Sequence, residues 1–138
     1  MITAVDSNVL IDIFLADPEF GVPSRQALAT AQHHGSTIAC DVVWAEVGAG
    51  FPSEASARDA LGRLGIEFRP LDASAAGAAG AAWRAYRARG GLRTRILSDF
   101  LIGAHATSLA DRLLTRDRGF YRTYFKQLRI MPPDAEGA

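Results

Sequence analysis

The chain has 138 residues, 49% of them apolar, and as many basic as acidic side chains. That length and apolar content fit one domain spanning residues 1–138 with a real core, and no apolar run reaches the ~18 residues of a membrane span. The net charge of zero hides a segregation: residues 1–82 carry four arginines against ten acids, and residues 83–138 carry ten arginines and Lys126 against five acids.

Met1-Ile2-Thr3-Ala4 lacks a basic leader, so no signal peptide is expected. Cys40 is the one cysteine and lies in an apolar run, which suits a small buried hydrophobe in a reducing cytosol. Arginine exceeds lysine fourteen to one, and arginine is the better bidentate phosphate donor. Nucleic acid is therefore a candidate partner, although charge alone is weak support.

Ile2-Thr3-Ala4-Val5 is a strand that passes at once into a helix over Val9–Leu15, with Asp6-Ser7-Asn8 at the junction. Asp12 interrupts the apolar run of that helix and is expected to face solvent. A second helix covers Pro23–His34, with Gly35 ending it. Ser36–Cys40 is the second strand, after which Asp41 is expected to cap a helix carrying Val43, Trp44 and Glu46. Gly48–Ser53 breaks that helix, Glu54–Leu64 is helical, and Ile66–Arg69 is a third strand stopped by Pro70.

Ala73–Arg89 is an alanine-rich helix anchored by Trp83 and Tyr86, which suit core or an interface better than base stacking. Gly77 and Gly80 each cost roughly 1 kcal/mol there relative to alanine, which predicts close packing or a break. Gly90-Gly91 opens a loop into a buried helix with Ser98 as cap and Asp99 in its first turn, where a negative charge is favoured. Asp111–Thr115 is a fourth strand, Phe120–Phe125 a short aromatic helix or turn, and Leu128–Met131 an edge strand. Pro132 to Ala138 is expected to be a frayed tail.

Strands alternating with helices imply a parallel sheet with helices on both faces, and ligands in such sheets gather beyond the carboxyl ends of the strands. Asp6 and Asp117 follow strand ends, Glu46 lies one turn into the helix after the second strand, and Asp99 opens the helix that feeds the fourth. Four acids from distant sequence thus converge on one sheet edge. Taken singly, each has a plainer role as a helix cap, a solvated residue or a turn residue. Clustered carboxylates repel unless a cation lies between them. No lysine or arginine stands at helical spacing, and His33, His34 and His105 match no zinc pattern. Mg²⁺ is the natural occupant, with Mn²⁺ as substitute. Such a metal suits hydrolysis of a phosphodiester.

Asp6-Ser7-Asn8 after the first strand, Glu46 in Val43-Trp44-Ala45-Glu46-Val47, Asp99 in Ser98-Asp99-Phe100-Leu101-Ile102-Gly103-Ala104 and Asp117 in Leu114-Thr115-Arg116-Asp117-Arg118-Gly119-Phe120 together resemble the PIN domain. Within that family the chain is similar to the VapC-type toxins of bacterial toxin–antitoxin pairs. The resemblance implies an α/β three-layer sandwich around a five-stranded parallel sheet of order 3-2-1-4-5. It implies that Asp6, Glu46, Asp99 and Asp117 form a Mg²⁺-dependent ribonuclease site supported by Asn8 and Thr115. It also implies a homodimer restrained by a cognate antitoxin whose tail lies across the active-site groove; the cytoplasmic setting is expected from Cys40. Arg93 and Arg95, beside the glycine loop, are candidates for phosphate contacts that position RNA without reading its sequence, or else a solvated face.

Other functions compete. A phosphatase forming an aspartyl-phosphate at Asp6 would usually carry a second acid two residues on, where Asn8 stands. A phosphoacceptor receiver domain would need a lysine after a late strand, and Lys126 lies in an aromatic segment instead. A catalytically silent RNA- or protein-binding module has no use for four acids.

Overall fold

The computed structural model of the chain describes residues 1–91 and 97–133. Five short runs of small and branched residues form strands: β1 (Ile2–Val5), β2 (Ser36–Ala39), β3 (Ile66–Phe68), β4 (Arg112–Leu114) and β5 (Arg129–Met131). All pair in parallel, in the order β3-β2-β1-β4-β5 that the resemblance implies. Parallel strands need crossover helices, which cover both faces of the sheet, so Ala4, Val5, Ile38, Leu113 and Leu114 are buried. The chain begins in the middle of the sheet, steps outward to β3, then returns to the other side of β1. That reversal puts the ends of β1 and β4 next to each other. The pairing continues past both ends, because Asp6 N donates to the Leu114 carbonyl at 2.9 Å and Thr115 N to the Met131 carbonyl at 3.1 Å.

The connecting helices are α1 (Ser7–Phe14), α2 (Gly21–His34), α3 (Asp41–Gly48), α4 (Glu54–Arg63), α5 (Ala73–Ala88), α6 (Leu97–Leu109) and α7 (Arg118–Tyr124). Four expectations need correction. Asp41 is the first residue of α3, and its cap position belongs to Cys40; the Asp41 carboxylate instead accepts the Leu71 backbone N–H at 3.3 Å. Ser98 lies inside the first turn of α6, because the helix already begins at Leu97. Gly77 and Gly80 neither break α5 nor pack closely: a Cβ at either would meet open space. The buried stripe of α5 runs instead through Ala75, Ala79 and Tyr86. Asp12 is buried, not solvent-facing, and pairs with Arg116.

Tyr86, Phe100, Phe120, Tyr121, Tyr124 and Phe125 form a connected set of edge-on and tilted ring contacts that joins α5, α6 and α7. Phe100 at its centre is fully buried, which contributes roughly 2–3 kcal/mol of apolar transfer. Gly103 belongs to the same packing: a Cβ there would overlap the Phe125 ring, so only glycine lets α6 approach this closely. Cys40 is buried, as expected. Among the described residues no helix is long and apolar enough to cross a membrane.

Candidate active site

Asp6 ends β1 and caps α1, because its extended backbone lets the carboxylate reach forward to the first free amide of the helix. Ser7 N donates to Asp6 Oδ1 at 2.8 Å. Thr115, at the end of adjacent β4, donates its hydroxyl to Asp6 Oδ2 at 2.8 Å, and the Tyr121 hydroxyl donates to the same oxygen at 3.1 Å. Asn8 Nδ2 lies 3.5 Å from both Asp6 Oδ2 and Thr115 Oγ1, and Asn8 Oδ1 accepts the Arg116 N–H at 3.3 Å. Asn8 and Thr115 thus both lie within hydrogen-bond reach of Asp6 Oδ2.

The other acids approach by different routes. The Ser7 hydroxyl donates to Glu46 Oε1 at 2.7 Å while lying 3.4 Å from Asp6 Oδ1, so Ser7 bridges the two carboxylates. The Asp117 backbone N–H donates to Thr115 Oγ1 at 3.0 Å, which places Asp117 one residue past the group that holds Asp6. Asp99, from the first turn of α6, acts on Asp6 by charge. Among the described residues no three acids, histidines or cysteines are grouped closely enough to hold a metal ion as they stand. Of the other three acids, Glu46 is linked to Asp6 through Ser7, Asp117 through Thr115, and Asp99 by charge. Arg93 and Arg95 lie outside the described residues.

Burial dominates the electrostatics. The Asp6 carboxyl is pushed up from 3.8 to about 6, first by loss of water and, last and least, by the charge of Asp99; hydrogen bonds from Thr115, Tyr121 and Ser7 pull the other way. The Tyr121 phenol is held far above its usual range by burial and by the charges of Asp6, Asp99 and Asp117, so it remains a proton donor. Three acids from three parts of the chain act on one hydroxyl. An all-oxygen set around a destabilised carboxylate fits a hard divalent cation, whose charge would offset both burial and repulsion. Histidine has no part in it: His105 is buried and directs its Nε2–H to the Arg69 carbonyl at 2.8 Å.

Tyr121 is the residue that sequence reading missed. Its only signal is a hydroxyl four residues after Asp117 in the aromatic segment Phe120–Phe125. In Tyr121→Phe, Asp6 loses a hydrogen bond that stabilises its charged form, and its pKa should rise further, by up to about one unit. Carbon-13 NMR of the aspartate side chains in EDTA would measure it. An unmoved titration would separate Tyr121 from Asp6.

Residues 3–126 match the family model of the PIN domain. The chain belongs to the PIN domain family. Members of that family are generally nucleases, and generally use a divalent metal. No curated protein sequence matches the chain. Among solved structures it is similar to VapBC2 from Rickettsia felis bound to a promoter DNA fragment, at 17% identity and TM-score 0.74 over 96% of this chain and 98% of that one. It is also similar to VapBC-1 from nontypeable Haemophilus influenzae, at 16% identity and TM-score 0.73 over 98% and 100%. A toxin–antitoxin complex from Klebsiella pneumoniae aligns at 21% identity and TM-score 0.66 over 95% and 97%. At these identities the likeness is one of fold, and it runs the length of the PIN domain.

Proposed function

We propose that the chain, acting as one catalytic unit over residues 1–138, is a Mg²⁺-dependent endoribonuclease and the toxin of a toxin–antitoxin pair. The observation that carries this reading is the Asp6 carboxylate. It is 5% exposed and pushed up to about 6, yet it sits at the strand-order reversal among Asp99, Asp117 and the Ser7-bridged Glu46. A buried carboxylate in that company has a purpose if a cation visits it. Asp6, Asp99, Glu46 and Asp117 would hold Mg²⁺, or Mn²⁺ in its place.

When bound, the metal would orient the scissile phosphate, lower the pKa of a coordinated water and stabilise the charge of the transition state. The chain's own groups do the rest. Thr115 and Tyr121 fix Asp6 Oδ2, Ser7 ties Glu46 to Asp6, and Asn8 holds the Arg116 backbone beside Asp117. The alternative of a phosphatase with Asp6 as nucleophile is disfavoured by Asn8, which stands where that chemistry would usually carry a second acid.

A cytoplasmic setting, a homodimer and a cognate antitoxin complete the proposal. The likeness to VapBC complexes supports the antitoxin. So does an apolar groove of about 190 Å³ between α1 and α3, lined by Ile11, Phe14, Leu15, Val47 and Phe51 with Glu46 at its edge. Leu15 there is 75% exposed, an uncovered apolar side chain beside the site.

Purified protein incubated with total RNA should produce discrete new ends in Mg²⁺ and none in EDTA. Identical RNA profiles under the two conditions would overturn the reading. Arg93 and Arg95 are proposed as phosphate contacts. Neutralising both should weaken binding to all RNA sequences alike and lower the salt slope by up to about one unit per lost contact. A shift in sequence preference at an unaltered slope would contradict that role.

A further inference from the structure

One ion pair lies just outside the site and is tied to it more closely than a surface contact would be. Asp12, in the second turn of α1, is 6% exposed. Its two oxygens accept from Arg116 Nε at 2.6 Å and from Arg116 Nη2 at 3.3 Å. The guanidinium carbon lies 4.3 Å from the centroid of the Phe20 ring, in a cleft also lined by Pro132 and Pro133. Arg116 is thus held by a buried carboxylate with its guanidinium over an aromatic ring, a combination that suits arginine and not lysine. Exposed ion pairs hold little, but here loss of the cation would leave a buried charge unpaired.

The same helix also holds the Arg116 backbone. Asn8 and Asp12 are one turn apart on α1; Asn8 Oδ1 accepts the Arg116 N–H at 3.3 Å, and Asp12 takes its side-chain tip. The residues on either side of Arg116 are the ones that matter to the site. Thr115 donates to Asp6 at 2.8 Å, and the Asp117 N–H donates to Thr115 Oγ1 at 3.0 Å. Any change in where Arg116 sits must move Thr115, Asp117 or both.

We propose that Asp12 and Arg116 form a positioning clamp which sets Thr115 and Asp117 against Asp6, so that metal affinity depends on an ion pair that touches neither metal nor RNA. The clamp rests on the reading of the Asp6 end as a metal-dependent nuclease site. It accounts for a buried acid in α1 that the four-carboxylate site does not use.

Four variants test it: Arg116→Gln, Asp12→Asn, the double variant, and Arg116→Lys, which keeps the charge without the fork. Three measurements are needed on each: hydrogen exchange of the segment 115–118, free Mn²⁺ by electron paramagnetic resonance, and RNA cleavage. Each single neutralisation should raise the Mn²⁺ Kd about tenfold, the usual cost of losing a group that orients a metal ligand, with KM for RNA within about twofold. Exchange at the Asp117 amide should quicken while β1 stays protected. The double variant should be no worse than the worse single one, because the pair acts as a unit. Arg116→Lys should fall between wild type and Arg116→Gln, and it serves if a neutralised variant does not fold. Unchanged Mn²⁺ affinity and unchanged exchange in folded variants would overturn the clamp, whatever happens to the melting temperature, and so would losses that simply add. If wild type binds no Mn²⁺ and cleaves no RNA, the nuclease reading falls and takes the clamp with it. If wild type does both and the variants match it, the clamp alone falls.

Discussion

Asp99→Asn should reduce Mg²⁺-dependent RNA cleavage at least ~100-fold, a loss of about 3 kcal/mol of transition-state stabilisation, without changing the circular dichroism spectrum. The substitution is nearly isosteric. Asp99 lies in the first turn of α6, where a negative charge interacts favourably with the helix dipole, so its removal costs α6 only about 0.5 kcal/mol. Against that, the charge of Asp99 raises the Asp6 pKa, and neutralising it relieves some of that repulsion. The two effects on stability are small and opposed, whereas the effect on a shared metal is large. A folded Asp99→Asn protein with full activity would remove Asp99 from the site. A folded protein without activity, and without the stabilisation that Mg²⁺ confers on wild type, would keep it there.

The second large effect is on stability, and it requires no substrate. The folded Asp6 carboxyl titrates near 6 against an ordinary value of 3.8. A raised acid pKa means that folding favours the neutral form. Relative stability from this group is therefore full below pH 3.8 and is lost as pH rises through about 6. Above that, the folded, metal-free protein carries a penalty of up to about 3 kcal/mol, from a shift of about two units. Asparagine carries no such penalty and caps a helix as well as aspartate does. In EDTA at pH 8, Asp6→Asn should thus be more stable than wild type, and at pH 4 the advantage should vanish. Mg²⁺ should stabilise wild type by RT ln(1 + [L]/Kd), on the order of 1–3 kcal/mol well above Kd, and the variant should lose most of that gain. Thermal melts at both pH values, with and without Mg²⁺, are sufficient. If wild type ignores Mg²⁺ and Asp6→Asn melts at or below it in EDTA at pH 8, Asp6 is a helix cap and nothing more.

Much of this molecule is legible along the chain because its signals are local. Apolar runs ended by Asp6, Asp41, Pro70 and Thr115-Arg116-Asp117 mark strand ends, and strand ends are where a parallel sheet gathers its polar side chains. That was enough to single out Asp6 and Asp117 as candidates, whereas Asn8 and Thr115 were implied only by the resemblance to the PIN domain. The same local logic misjudged residues whose neighbours lie far away in sequence. Gly77 and Gly80 suggested a break in α5, but they sit on its open face and leave the helix intact. Ser98 had the right residue type for a cap, but α6 begins one residue earlier.

Asp12 and Tyr121 show the limit most plainly. By residue type alone, an aspartate in an amphipathic helix belongs in water and a tyrosine in an aromatic segment belongs to the core. Asp12 is buried because Arg116, 104 positions away, arrives beside it when β4 pairs with β1. Tyr121 reaches Asp6 from 115 positions away because the ring cluster around Phe100 holds α7 over the end of the sheet. Periodicity and capping act over a few residues and determine which elements form and which acids stand at their ends. Which polar groups become partners is decided by strand order and side-chain packing. Those place residues a hundred positions apart within hydrogen-bond distance and make the burial of a charge affordable only where a partner meets it.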